Sequence, residues 1–187
     1  MTHFFANIQY VFLDRDGVIN RKAPEGAYIS NWSDFHLLPG VESAIASLNR
    51  SGRRVIVVTN QRGIALGLYS RADVEALHER LQRHLAARSA HIDAFYYCPH
   101  DENECDCRKP KTGLFAQAFR DFPEASKANS IVIGDSISDI EAAHNLGFPA
   151  IFVQGDAQTQ KAGANKAAEF AHASSPSLFQ AVEKHLI

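Results

Sequence analysis

The sequence lacks a basic excess, a long apolar run and a secretory leader, and each absence excludes a class of protein. Nineteen lysines and arginines stand against 21 aspartates and glutamates, for a formal charge of -2, whereas proteins that grip long nucleic acid normally carry a basic stripe. No apolar run approaches the roughly 20 residues that cross a bilayer. The first residues, MTHFFANIQYVF, have neither a basic start nor a small-residue cleavage site. We therefore expect a cytoplasmic protein that contacts neither nucleic acid nor membrane.

Cysteine is also scarce, and its distribution favours a metal site over disulfides. All three cysteines lie between residues 98 and 107, an odd count for disulfides and a tight cluster for a reducing compartment. With one imidazole they supply the ligands of a closed tetrahedral Zn²⁺ site, formed by Cys98, His100, Cys105 and Cys107. Because no position of that tetrahedron stays open, we expect a structural Zn²⁺ that fixes the loop leading to Arg108 and Lys109. The plainer alternative is a set of buried or free cysteines.

The length of 187 residues predicts one domain over residues 1–187, and the apolar pattern predicts its fold class. Five short apolar runs end abruptly at polar residues, as buried parallel strands do: Tyr10–Leu13, Arg54–Val58, Ala94–Tyr97, Ser130–Ile133 and Ala150–Val153. Helical periodicity separates these runs, and a last helix is predicted near residues 177–186. The alternation predicts an α/β fold with a parallel sheet and helices on both faces. Residues 154–163 are expected to form a mobile loop without a functional role.

In open parallel sheets, ligands bind beyond the carboxyl ends of the strands, and the first predicted strand ends in two carboxylates. Asp14 and Asp16 are separated by one residue and followed by Gly17, which lets backbone N–H groups approach an anion. This arrangement suits phosphoryl transfer. One carboxylate attacks phosphorus while bound to a divalent cation, and the other protonates the leaving oxygen and later deprotonates water. A solvated Asp-Gly turn explains the same dipeptide without chemistry.

Three further segments place suitable residues at the ends of later strands. Thr59 offers a hydroxyl for phosphate oxygens, Lys109 offers a charge that neutralises a phosphoryl group, and Asp135 offers the carboxylate that Mg²⁺ prefers. Each has a plainer explanation on its own: a polar strand end, a surface basic pair, and for Asp139 an N-terminal helix cap. Their order along the chain makes them specific as a set.

Together these segments resemble the haloacid dehalogenase (HAD) superfamily of phosphohydrolases, with matches at Asp14, Asp16, Thr59, Lys109, Asp135 and Asp139. The resemblance implies a three-layer Rossmann-like sheet, a nucleophile at Asp14 that forms an aspartyl phosphate, and a general acid/base at Asp16. It implies that Mg²⁺ is held by Asp14, the backbone carbonyl of Asp16 and Asp135. Thr59 and Lys109 are then expected to bind the phosphoryl oxygens.

Many members of this superfamily carry a separate cap domain that reads the substrate, and the spacing here leaves no room for one. The 45 positions from Asp14 to Thr59 and the 50 from Thr59 to Lys109 are already used by predicted loops, helices and strands. We therefore expect a capless enzyme whose loops read the substrate.

Within the superfamily, five segments resemble the D,D-heptose 1,7-bisphosphate phosphatases: FLDRDGVIN, TNQRGIALG, YYCPH, CDCRKPKTG and GDSISDIEAA. This resemblance implies removal of the C7 phosphate of D-glycero-D-manno-heptose 1,7-bisphosphate, with substrate contacts at Asn60, Gln61, Arg62 and Arg108. The sister histidinol-phosphate phosphatases share the zinc loop, the segment from Cys98 to Cys107. The short spacing between His100 and Cys105 resembles theirs, so histidinol phosphate stays the alternative substrate. Two departures from the family pattern leave both the substrate and the anomer preference open: Ser136 replaces a Lys of some members, and the stretch over residues 21–26 is longer than expected.

Two alternatives come from other classes. A nucleic-acid 3′-phosphatase uses the same four motifs but needs a basic groove with stacking aromatics, and the charge balance gives no sign of one. An inert zinc-binding module explains the cysteines but leaves the ordered acidic residues and the lysine unexplained. We expect instead a monomeric phosphatase of a small phosphorylated sugar.

Overall fold

The centre of the computed structural model, which describes residues 5, 7–24, 26–155 and 162–187, is a parallel sheet of six strands. The strands are β1 (Tyr10–Leu13), β2 (Arg54–Asn60), β3 (Ala94–Cys98), β4 (Ser130–Gly134), β5 (Ala150–Val153) and β6 (Ala173–Ser175). Their order across the sheet is β3-β2-β1-β4-β5-β6. The register pairs Leu13 of β1 with Val57 of β2 and with Ile133 of β4.

Within the described residues, six α-helices connect and cover the strands: α1 (Val41–Arg50), α2 (Arg71–Ala86), α3 (Gly113–Asp121), α4 (Ile137–Leu146), α5 (Ala164–Phe170) and α6 (Leu178–His185). A single turn of 3-10 helix over Arg62–Ile64 follows β2. None of the helices in the described ranges combines the length and the apolar character that a bilayer crossing requires.

The two faces of the sheet bury two separate cores because successive strand residues point in opposite directions. Val11 and Leu13 of β1 face the core that contains α1, α2 and α6. Tyr10 and Phe12 face the core that contains α3, α4 and α5. All residues of β1, β4 and β5 are buried, as expected for strands covered on both faces.

The predicted fold class, the five predicted strands and the last helix are confirmed. Two elements were not predicted: α5, and β6, which extends the sheet beyond β5. Among the described residues between Asp14 and Thr59, and again between Thr59 and Lys109, one α-helix precedes one strand and no additional domain is inserted. The capless prediction is therefore confirmed. The predicted loop over residues 154–163 falls mostly outside the described residues.

The strand order places a switch point at β1. The chain moves from β1 to β2 and β3 on one side and returns to β4, β5 and β6 on the other. In such sheets the connections diverge at this point and leave a crevice at the carboxyl ends of the central strands. The ends of β1 and β4 are therefore where the fold itself provides a site.

Candidate active site

Polar residues from separate segments meet at the carboxyl ends of β1, β2 and β4. Asp14 follows β1, Asp135 follows β4, and Lys109 comes from the loop before α3. The Nζ atom of Lys109 lies 2.9 Å from Asp14 Oδ1 and 2.6 Å from Asp139 Oδ1. The structure thus brings together residues from three of the four segments that the sequence motifs singled out.

Lys109 is buried, with 4% of its surface exposed, yet it is held as a cation. Its Nζ also donates to the carbonyl oxygen of Val58 at 2.5 Å. Burial alone would lower the pKa of Lys109, but the adjacent carboxylates of Asp139 and Asp14 outweigh it and raise the pKa above its ordinary value. A fixed ammonium beside Asp14 suits the binding of an anionic group there.

Three carboxylates form a compact cluster that fits a divalent cation. One oxygen each from Asp14, Asp135 and Asp139 lies within 4.8 Å of the others. No described residue donates a hydrogen bond to the buried Oδ1 of Asp135, while its Oδ2 contacts the ammonium of Lys22. Burial raises the pKa of Asp135 to about 7, with the charges of Asp14 and Asp139 adding to the rise and Lys22 opposing it. A free, buried carboxylate oxygen beside other carboxylates is the donor set that Mg²⁺ takes.

Gly17 allows the loop after β1 to approach this cluster. Its φ is +100°, in the region that favours glycine. A Cβ atom at this position would lie 2.0 Å from Asp135 Oδ2. Any side chain at position 17 would therefore displace the Asp135 carboxylate.

Asp139 acts both as a helix cap and as a partner of the buried lysine. Its Oδ2 accepts hydrogen bonds from the backbone N–H of Ser136 at 3.1 Å and from Ser136 Oγ at 2.6 Å, at the first turn of α4. Its Oδ1 faces Lys109. The capping interpretation of the sequence is confirmed, and the same carboxylate also holds Lys109 in place.

The Asp16 carboxylate lies outside the cluster and is held by three other side chains. Asn20 Nδ2 donates to Oδ1 at 2.9 Å, and Gln61 Nε2 donates to Oδ2 at 3.0 Å. Arg15 Nη2 reaches both oxygens, at 3.0 and 2.9 Å. These contacts engage the side chain, and the Mg²⁺ ligand that the resemblance implies at Asp16 is the backbone carbonyl, which stays a prediction.

Sequence reasoning missed Arg15 and His78, which lie directly behind Asp16. Arg15 is 1% exposed, and its Nη1 lies 3.4 Å from Nε2 of His78 on α2. The His78 ring stacks on Phe95 with ring centroids 4.4 Å apart. The signal that could have revealed His78 is its position on the buried stripe of α2, between Val74 and Leu81.

We expect buried His78 to make the protein less stable in mild acid. Burial, assisted by the charge of Arg15, lowers the pKa of His78 to about 3, whereas the unfolded chain protonates it near pH 6.5. Above about pH 6.5, titration of His78 leaves the free energy of unfolding unchanged. As pH falls from there towards 3, only the unfolded chain takes up the proton, so the free energy of unfolding decreases progressively. The loss by pH 5 is about 2 kcal/mol, from 1.36 kcal/mol per unit of pKa difference.

Chemical denaturation between pH 7.5 and 5 measures this contribution as the difference between the wild-type protein and His78→Phe. The phenylalanine keeps the ring stack on Phe95 and removes the titrating group. The free energy of unfolding of the variant should therefore fall less steeply with pH. Equal slopes for the two proteins would contradict the expectation.

Asn60 and Gln61, two predicted substrate contacts, are engaged within the protein. Asn60 Oδ1 accepts from the backbone N–H of Lys109 at 3.0 Å, and Asn60 Nδ2 donates to the Lys109 carbonyl oxygen at 3.1 Å. Gln61 Nε2 donates to Thr59 Oγ1 at 3.0 Å, and Gln61 Oε1 accepts from Tyr69 Oη at 2.8 Å. In this structure Asn60 fixes the Lys109 backbone, and Gln61 joins Thr59 to Asp16.

Arg62 and Arg108, the other two predicted substrate contacts, lie near a common acidic group. Arg62 Nε contacts Asp101 Oδ1 at 2.5 Å. The Oε1 atom of Glu102 lies 3.8 Å from Arg62 Nη1 and 3.9 Å from Arg108 Nη2. No described residue accepts a hydrogen bond from the buried Nη1 of Arg108. Two guanidinium groups within reach of one carboxylate oxygen form a place where an anion can bind.

The cysteine cluster has the dimensions of a zinc tetrahedron. The Sγ atoms of Cys98, Cys105 and Cys107 lie 3.2 to 3.5 Å apart. His100 Nδ1 lies 3.6 Å from the sulfur of Cys98 and 3.3 Å from that of Cys107. A tetrahedron with Zn–S bonds of about 2.3 Å has sulfur–sulfur edges of roughly 3.8 Å. The four side chains therefore fit a Zn²⁺ ion with only small adjustments.

The surroundings of the cluster also favour a cation. Burial, together with the neighbouring sulfurs of Cys98 and Cys105, raises the pKa of the Cys107 thiol, so three thiolates need a positive ion at their centre. The backbone N–H of Arg108 points at Cys105 Sγ at 3.3 Å, as the outer hydrogen bonds of metal ligands do. The cluster thus anchors the segment that delivers Lys109.

Sequence comparisons agree with the motifs. A HAD-hydrolase-like family model matches residues 106–178. The D-glycero-alpha-D-manno-heptose-1,7-bisphosphate 7-phosphatase of Mycobacterium bovis is 46% identical over 73% of this chain and 72% of its own length. The D-glycero-beta-D-manno-heptose-1,7-bisphosphate 7-phosphatase of Escherichia coli K12 is 35% identical over 95% of both chains.

A solved structure gives the same result. The D,D-heptose 1,7-bisphosphate phosphatase of B. bronchiseptica, crystallised with magnesium and phosphate, superposes with a TM-score of 0.82 at 30% identity. The match covers 95% of this chain and 97% of the other. The likeness therefore extends over nearly the whole of both chains.

Proposed function

Because the chain belongs to the heptose-1,7-bisphosphate 7-phosphatase family of the HAD-like hydrolases, we propose that it removes the C7 phosphate of D-glycero-D-manno-heptose 1,7-bisphosphate. The observation that carries the proposal is the convergence of Lys109, Asp14 and Asp135 where β1 and β4 end. The names of the relatives, which act on that substrate class, support the choice of sugar.

The proposed reaction proceeds in two halves, both of which use Asp14 and Asp16. A carboxylate oxygen of Asp14 forms a bond to the C7 phosphorus while the bond from phosphorus to the sugar oxygen breaks, and Asp16 gives a proton to that oxygen. Asp16 then takes a proton from water, whose oxygen attacks phosphorus and releases phosphate from Asp14. The Asp14 carboxylate is regenerated, and Asp16 again holds the proton with which it started.

The remaining residues of the site neutralise charge and hold the phosphoryl group. Asp14, Asp135 and the backbone carbonyl of Asp16 would hold Mg²⁺, which when bound supplies positive charge at the phosphoryl oxygens. Lys109 adds the ammonium beside Asp14. Thr59 Oγ1 accepts a hydrogen bond from Gln61, so its own proton can be donated to a phosphoryl oxygen. Phosphoryl transfer requires mainly this positioning and charge neutralisation.

We propose that the zinc loop supports the active site and helps to bind the second phosphate of the substrate, the one on C1. A structural Zn²⁺ bound by the four-ligand cluster would fix the loop that carries Arg108 and Lys109. The guanidinium groups of Arg62 and Arg108, both near Glu102 Oε1, suit the phosphate on C1 once the carboxylate moves aside. Arginine binds phosphate with paired N–H groups.

Replacing Arg108 by alanine should impair hydrolysis of the bisphosphate selectively. Loss of a charge-assisted contact costs about 1.5–3 kcal/mol, which lowers kcat/KM for the heptose bisphosphate roughly 10- to 100-fold. The same variant should hydrolyse heptose 7-phosphate as the wild-type enzyme does. Steady-state kinetics on both substrates measure the split, with Arg120→Ala, an exposed arginine of α3, as the control. Equal losses on both substrates would rule out the assignment.

The direct test of the proposed function is phosphate release in the presence of Mg²⁺. Both anomers of the heptose bisphosphate are compared with histidinol phosphate, because the named relatives include enzymes for either anomer. We expect kcat/KM to favour one heptose anomer over histidinol phosphate by at least roughly tenfold. A preference for histidinol phosphate would overturn the choice of substrate and leave the chemistry of Asp14 in place.

We also propose that residues 1–187 act as one domain and as a monomer in the cytoplasm. The cysteine cluster suits a reducing compartment, and the proposed substrate is a charged sugar bisphosphate. The exposed large apolar side chains of the described residues number five: Leu66 and Leu68 after β2, Phe170 at the end of α5, and Phe179 and Ile187 in and after α6.

A further inference from the structure

A chain of polar contacts runs from helix α2 through two buried side chains to the carboxylate of Asp16, and the proposed reaction does not yet use it. His78 of α2 contacts Arg15 Nη1, and Arg15 contacts both carboxylate oxygens of Asp16. His78 is 5% exposed and Arg15 1% exposed. Burying a polar group costs free energy unless the group forms a hydrogen bond. The network therefore restricts the orientation of each of its side chains.

Arg15 is held on several sides, which fixes the plane of its guanidinium group. Its Nη2 also donates to Gln61 Oε1 at 3.3 Å, and its charge lies over the Phe35 ring, 5.8 Å from the centroid. The contact on Nη1 is supplied by His78. Without an acceptor there, a buried N–H of a charged group would be left unsatisfied, and the guanidinium would turn to find another partner.

His78 can serve this role only as a neutral ring. An arginine can only donate hydrogen bonds, so Nε2 of His78 must be the unprotonated acceptor and Nδ1 must carry the proton. Burial and the adjacent arginine charge both disfavour the imidazolium, and they lower the pKa of His78 to about 3. The stack on Phe95 and the edge contact with Tyr97, with centroids 6.1 Å apart, fix the ring.

We propose that His78 is a positioning residue for the acid–base step: its ring holds Arg15, and Arg15 holds the Asp16 carboxylate where it exchanges a proton with the leaving oxygen. The inference rests on the proposed function, because it assumes that Asp16 is the general acid. His78 itself touches neither substrate nor reacting atoms. A change at position 78 therefore acts on the reaction only by displacing Arg15 and Asp16.

The dependence of kcat/KM on the leaving group distinguishes a positioning role of His78 from a merely structural one. A sugar alkoxide needs a proton as its bond to phosphorus breaks, whereas p-nitrophenolate leaves without one. The parameter kcat/KM reports the first half of the reaction, in which this proton is given. A displaced Asp16 should therefore impair hydrolysis of alkyl phosphates much more than hydrolysis of p-nitrophenyl phosphate.

The test compares His78→Phe, His78→Gln and the wild-type enzyme. Phenylalanine keeps the ring but offers no acceptor, and a misplaced general acid should lower kcat/KM for the heptose bisphosphate about 10- to 100-fold. Its kcat/KM for p-nitrophenyl phosphate should stay within about threefold of wild type. Glutamine, whose amide oxygen can accept from Arg15, should recover most of the loss. The matched control is His84→Phe on the same helix, where the histidine contacts Glu42 and not Arg15.

Equal losses on both substrates, or none in His78→Phe, would overturn the proposal, as would a glutamine variant no better than phenylalanine. If the wild-type enzyme does not cleave the heptose bisphosphate, the proposed function fails by itself, and any alkyl phosphate that the enzyme cleaves takes its place in the comparison. Nitrogen NMR of the His78 ring tests the contact without activity. Nε2 should be unprotonated at pH 6, and a protonated Nε2 would overturn the proposal.

Discussion

Replacement of Asp14 by asparagine should abolish phosphatase activity while the fold and the zinc content stay intact. The amide cannot form the bond to phosphorus, and the alternative of direct attack by water lacks the oriented nucleophile. Loss of a nucleophile lowers kcat by several orders of magnitude, so we expect a decrease of at least about 10⁴-fold. Lys109 keeps its partner Asp139 at 2.6 Å, so the buried ammonium is still paired with a carboxylate in the variant.

The measurement is phosphate release under saturating Mg²⁺, together with circular dichroism and a zinc determination. Asparagine can revert to aspartate by deamidation, so Asp14→Ala is measured in parallel and the mass of the Asn variant is checked. Asp121→Asn, which alters an exposed carboxylate bonded to Tyr96, is the matched control and should be fully active. Appreciable turnover by a confirmed Asp14→Ala protein would show that Asp14 is not the nucleophile.

Burial on both faces of the sheet explains why three of the predicted strands, β1, β4 and β5, could be recognised in the sequence. Runs that are largely apolar mark these strands because positions covered on both faces of a sheet favour apolar side chains. By contrast, β6 is the three-residue segment ASS at the sheet edge, and only its pairing with β5 makes it a strand. Helix α5 buries a single residue, Ala167, so its seven residues leave no apolar stripe in the sequence.

Some residues of the site could be predicted from the local sequence, and others depend on contacts between distant segments. Asp14 and Asp135 directly follow β1 and β4, and the ends of these strands can be read from the apolar pattern. Lys109 lies in the loop before α3, and its motif alone located it. His78 lies 63 positions after Arg15. Periodicity places this histidine on a buried face of α2 but cannot say what it meets there. Lys22 belongs to a loop without periodicity, and only the folded chain brings it to Asp135.

Asn60 makes contacts within the protein that its place in a motif does not reveal. The resemblance assigns it to the substrate, and the structure shows both ends of its amide bonded to the Lys109 backbone. This pair of hydrogen bonds joins the end of β2 to the zinc loop. The position of Lys109 therefore depends on two anchors, Asn60 on one side and the cysteine cluster on the other.

The second anchor leads to the other large expected effect: Cys105→Ser should lower zinc content, stability and activity together. Serine is a poor Zn²⁺ ligand at neutral pH, and structural zinc contributes directly to folding free energy. We expect the free energy of unfolding to fall by at least about 3 kcal/mol. For a chain of this length that lowers the Tm by roughly 6–12 °C. Activity should fall as well, because the backbone N–H of Arg108 loses its contact with Cys105 Sγ.

Zinc determination, thermal unfolding and steady-state kinetics on the same preparation separate the effects. Asp106→Ser places the same residue one position away, at an exposed side chain outside the cluster, and should retain zinc and stability. Chelation of zinc from the wild-type protein should reproduce the Cys105→Ser phenotype, since both remove the same anchor. A Cys105→Ser protein that is zinc-free but as stable and active as wild type would show that Asn60 and the sheet alone suffice to place Lys109, and that the zinc loop has some other purpose.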